Sequence, residues 1–74
     1  MMYQIIITTE NRTYRESWYN LIEASNRVLE VMNCKNVGMV DLMCLTTGEI
    51  LITVIDAVVE YVATEYIERF YEEI

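Results

Sequence analysis

The chain has 74 residues, two cysteines, no histidine and no proline, and its 12 acidic against 5 basic side chains leave a net charge of −7. A chain of that length is one domain that buries only about 60% of its unfolded surface, and its charge works against binding DNA or RNA, which requires a basic surface. Without histidine there is no base for a hydrolase triad, and the cysteines lack zinc-ligand spacing, so no catalytic residue, metal site or cofactor is expected.

Residues 2–9 read as a strand, because Ile5, Ile6 and Ile7 are β-branched and followed by Thr8 and Thr9. No basic leader precedes them, which points to a cytoplasmic chain whose cysteines, Cys34 and Cys44, stay reduced and buried. Glu10, Asn11 and Arg12 supply a turn. Thr13 with Glu16 three residues on fits a capping box and predicts a helix from there to Met32. Its apolar stripe is Tyr14, Trp18, Leu21, Ile22, Val28, Leu29 and Met32, with Glu23 and Arg27 paired across one turn. Asn33 and Asn36 form the exit, since asparagine tolerates left-handed backbone.

Residues 37–45 and 49–55 read as a β-hairpin closed by Thr46, Thr47 and Gly48. Val40, Leu42 and Cys44 share one face of its first arm; Met39, Asp41, Met43 and Leu45 share the other. Asp41 stands alone among apolar neighbours and reads as a charge that guards a sheet edge. Residues 56–73 then read as one helix capped by Asp56, with Val59, Val62, Ala63, Tyr66, Ile67, Phe70 and Ile74 buried. The expected fold is α+β: a two-layer β-α-β-β-α domain of three strands and two helices, its first two strands parallel across a right-handed crossover. Both hairpin faces are apolar, so the helices cover opposite faces or a second chain covers one of them. The apolar content of 54% is high for so short a chain and predicts a homodimer. The stretch from Val37 to Val59 carries too many charges to span a membrane.

The charge is one-sided. Residues 1–35 are neutral, with Glu10, Glu16, Glu23 and Glu30 against Arg12, Arg15, Arg27 and Lys35, so the whole excess falls on residues 36–74. Glu65, Glu68 and Glu72 recur at helical spacing, which crowds like charges, and Glu72 and Glu73 oppose the helix dipole. A helix that accepts such repulsion offers a row of carboxylates to a basic partner. Tyr61 is expected above that row, and the candidate partner-binding residues are Tyr61, Glu65, Glu68, Glu72 and Glu73.

In size and in this acidic second half, the chain resembles small acidic proteins of bacteriophages and mobile elements, among them anti-CRISPR inhibitors. The resemblance implies an inhibitor that presents phosphate-like carboxylates to the basic groove of a nucleic-acid-binding effector. The alternative is a homodimeric structural or assembly module whose acidic face is only solvated.

Overall fold

Residues 2–74 are described by a computed structural model. Their backbone forms seven elements: β1 (Tyr3–Thr9), β2 (Thr13–Trp18), α1 (Leu21–Met32), β3 (Val37–Cys44), β4 (Glu49–Ile55), β5 (Val58–Val62) and α2 (Thr64–Glu73). The strands make one antiparallel sheet in the order β2-β1-β3-β4-β5. The fold is α+β with two helices, but the sheet has five strands where the sequence reading gave three.

The sequence pattern predicts helix over both added strands, and each departure has a local reason. In β2 the ladder turns Tyr14, Glu16 and Trp18 to the side of Ile7, Ile5 and Tyr3, so the period is two rather than 3.6. Thr13 is therefore a strand residue. The helix begins eight residues later, where the Asn20 side chain accepts the backbone N–H of Glu23 at 2.9 Å. In the second case Asp56 and Ala57 take φ of 49° and 64°, the two left-handed positions of a tight hairpin turn. The chain then folds back as β5, rich in β-branched valine, before α2 starts. Because β2 reverses the chain before α1, β3 meets β1 antiparallel, not parallel.

The β3–β4 hairpin forms where the sequence places it, with Gly48 at φ 74° in its turn. Asn36, at φ 72°, makes the left-handed exit after α1. Asp41 does not guard an edge, since β3 is the central strand; its carboxylate accepts a 2.7 Å hydrogen bond from Thr53 on β4. Arg27 pairs with Glu16 of β2, not with Glu23. Neither cysteine is bridged, and only Cys44 is buried.

Both helices lie on the same face of the sheet. There Ile5, Leu21, Val40, Leu42, Cys44, Leu51 and Val54 are almost wholly excluded from water, each larger aliphatic contributing about 1.5–3 kcal/mol. A β-bulge at Leu51 allows it and its neighbour Ile52 both to be buried. Trp18 and Met32 pack at the margin, whereas Tyr14 and Leu29, expected in the core, are exposed. No helix among the described residues covers the opposite face. The row Arg15, Ile6, Asp41, Thr53 and Tyr61 crosses it, with Met39, Met43, Ile50, Ile55 and Val58 alongside. No helix among the described residues is long and apolar enough to cross a membrane.

Candidate interaction site on the C-terminal helix

The acidic half of the chain ends in α2, which crosses one end of the sheet. Ala63 anchors its start: its backbone N–H donates to the Leu51 carbonyl at 2.8 Å and its side chain is buried. On the inner side of the helix, Tyr66 and Phe70 pack against the core with ring centroids 5.7 Å apart. The Tyr66 hydroxyl meets that of Ser25 on α1 at 2.8 Å, and Ser25 also donates to the Leu21 carbonyl at 2.7 Å. That half-buried polar pair is satisfied and fixes α2 against α1.

The expected carboxylate row is divided. Glu65 turns inward and pairs with Arg69 one turn on, at 2.6 Å. Glu49 of β4 approaches from the sheet. Its hydrogen bond with Glu65 and the repulsion between them raise the Glu49 pKa, while that bond and the Arg69 guanidinium lower the pKa of Glu65. Arg69 is held cationic, chiefly by Glu65. Burial pushes the Cys44 thiol up, but hydrogen bonds from Thr47 and Thr46 outweigh it and, with a smaller contribution from the Arg69 charge, hold it below its ordinary pKa.

Glu73 is turned inward too. Its carboxylate accepts the backbone N–H of Leu21 at 2.9 Å and that of Ile22 at 3.4 Å, so it closes the N-terminus of α1. Glu68 and Glu72 remain on the outer side, exposed and one turn apart. Between and beyond them stand Ile67, Tyr71 and Ile74, which are 48%, 68% and 75% exposed. This apolar ridge at i, i+4 and i+7 was expected to be core in part, and it is surface. Tyr61 does not sit above the carboxylates; it lies on β5, on the open face of the sheet opposite Thr53.

The division follows from helical phase. Residues 66, 69, 70 and 73 face the fold, so the outer face carries residues 67, 68, 71, 72 and 74. Ile67 and Ile74 share a stripe with the core residues only if the helix starts at Asp56, because Val59 and Val62, which belong to β5, then shift the apolar face. The cations of the first half lie elsewhere: Arg12 and Lys35 border a polar depression at the opposite end of the strands, with Arg12 5.9 Å above the ring of Tyr14. No family model, curated protein or solved structure matches this chain.

Proposed function

We propose that this protein is a non-catalytic interaction module that engages a basic protein surface through the outer face of α2. The observation that carries this reading is the division of labour among the carboxylates. Glu65 and Glu73 are spent on Arg69 and on the backbone of α1, while Glu68 and Glu72 stand free beside an exposed apolar ridge. A helix with no fully buried residue, held on its inner side and acidic and apolar on its outer side, suits a partner that offers Lys or Arg around an apolar strip.

The partner class is a nucleic-acid-binding effector with a basic channel. Two carboxylates about 6 Å apart along a helix occupy the place of two phosphates, and a net charge of −7 steers the chain towards such a channel. The chain would then act as an inhibitor by competing with nucleic acid.

The test is displacement of a labelled duplex from an RNA-guided nuclease. The wild-type chain should displace it, E68Q/E72Q should weaken displacement about tenfold, and both E68Q/E72Q and raised salt should slow the chain's own association with the nuclease. No displacement by the wild type, or displacement indifferent to E68Q/E72Q, contradicts the reading. The second reading, a homodimeric module with a solvated acidic face, is favoured by the exposed edge of β5.

A further inference from the structure

We propose that the open edge of β5 pairs with the β5 edge of a second copy of this chain, antiparallel about a two-fold axis, giving a continuous ten-stranded sheet. This inference is independent of the role given to α2.

The two edges of the sheet differ in kind. At one, β2 alternates and carries Arg15 and Glu16. At the other, every residue of β5 is exposed, and four of the five are apolar: Val58 57%, Val59 50%, Tyr61 50% and Val62 42%. Val58 and Tyr61 face the open side of the sheet, and Val59 and Val62 face the helix side. An edge strand apolar on both sides, short and with no proline or lysine, has few of the devices that keep an edge solitary. Its one charge, Glu60, sits at a bulge.

Beside β5 on the helix side runs an apolar groove of about 230 Å³, walled by Leu29, Met32, Val54, Val59, Val62 and Phe70. The helix layer stops short of the sheet here. A second copy paired along β5 would place its own Val59 and Val62 next in the sheet, where they close the open side of the groove.

An antiparallel edge pair is self-complementary, so one surface serves both copies and the assembly closes at two. Five of the thirteen exposed large apolar residues among the described ones, Ile55, Val58, Val59, Tyr61 and Val62, lie on β5 or at its turn. Two like-charged copies repel, so this association should tighten as salt rises. A complex of α2 with a basic partner should loosen.

Sedimentation equilibrium of the full chain at micromolar concentration, in low and high salt, is the test. The expected result is a species of twice the 8.8 kDa chain mass that strengthens with salt. V59E should weaken it about a hundredfold with an unchanged far-UV spectrum, and S17E on β2 should leave it intact. A monomer at both salt concentrations, or a dimer that survives V59E, overturns the proposal. Should V59E fail to fold, amide exchange on the wild type decides: protection of Val58–Val62 that rises with concentration supports pairing, and protection independent of concentration refutes it.

Discussion

Glu73, in the last turn of α2, caps the first turn of α1: its carboxylate accepts the N–H of Leu21 at 2.9 Å, fifty-two residues away in sequence. Asn20 accepts the N–H of Glu23 through its side chain, so these two residues share the donors that open the helix unpaired: Leu21, Ile22 and Glu23. The negative charge also lies at the positive end of the α1 dipole.

Glu73→Ala should therefore lower stability by about 1–2 kcal/mol, similar to Asn20→Ala at about 1 kcal/mol. Glu73→Gln, which keeps an acceptor but loses the charge, should fall between wild type and alanine. Urea denaturation of the three variants checks this. Equal midpoints for wild type and Glu73→Ala would show that the cap contributes nothing.

The β4–β5 turn holds an alanine where backbone geometry favours glycine. Ala57 sits at φ 64°, a conformation that costs an L-residue roughly 1–2 kcal/mol. Ala57→Gly should raise stability by about 0.5 kcal/mol, the relief exceeding the greater chain entropy of glycine. Gly48→Ala should do the reverse by about 1 kcal/mol: Gly48 is at φ 74° with no atom within 4 Å of an added methyl, so the change is purely conformational. Thermal melts of both variants give the two signs.

That turn also explains what the sequence could and could not disclose. The β3–β4 hairpin was legible because Gly48 marks its turn and Val40, Leu42 and Cys44 alternate. Asp56-Ala57 carries no glycine, and Asp56 is as good a helix cap as a turn residue, so β5 was absorbed into the helix behind it. In β2, Thr13-x-x-Glu16 imitates a capping box, while the alternation of Tyr14, Glu16 and Trp18 is only six residues long. Glu68 and Glu72 could be found from helical spacing. The inward roles of Glu65 and Glu73 depend on Arg69 lying one turn on and on α2 ending beside α1, and the latter is a tertiary fact.

Glu16 joins β2 to α1. It receives Arg27 through two hydrogen bonds, at 2.8 and 2.9 Å, and the Trp18 indole N–H at 3.2 Å. Arg27 is the main reason its pKa is lowered from 4.5. A carboxylate with a lowered folded pKa stabilises the fold above its unfolded value, and that contribution is lost as pH falls through the folded one. Glu16→Gln should thus be less stable than wild type at neutral pH, by about 1 kcal/mol at most for so exposed a pair. The difference should begin to fade as pH falls towards 4.5 and vanish only once pH is below the lowered folded pKa. A gap that persists undiminished there would rule out the ion pair as its source.

Glu49 titrates the other way. Glu65 raises its folded pKa, so its contribution is present below the unfolded value and is lost as pH rises through the folded one. Glu49→Gln should be as stable as wild type or more so at neutral pH, because an amide can donate to Glu65 where a second carboxylate repels it. The advantage should shrink in acid. A melting temperature lower than wild type at pH 7 would contradict this assignment.

The two-sidedness of α2 is tested most directly by melting two double variants side by side. E65Q/E73Q removes the inward carboxylates and should lower the melting temperature by several degrees. E68Q/E72Q removes the outward pair and should leave it unchanged or slightly higher, since like charges one turn apart are mildly repulsive. If the outward pair destabilises on removal as much as the inward pair, or if neither variant melts differently from wild type, the acidic helix is not divided between a structural face and a binding face.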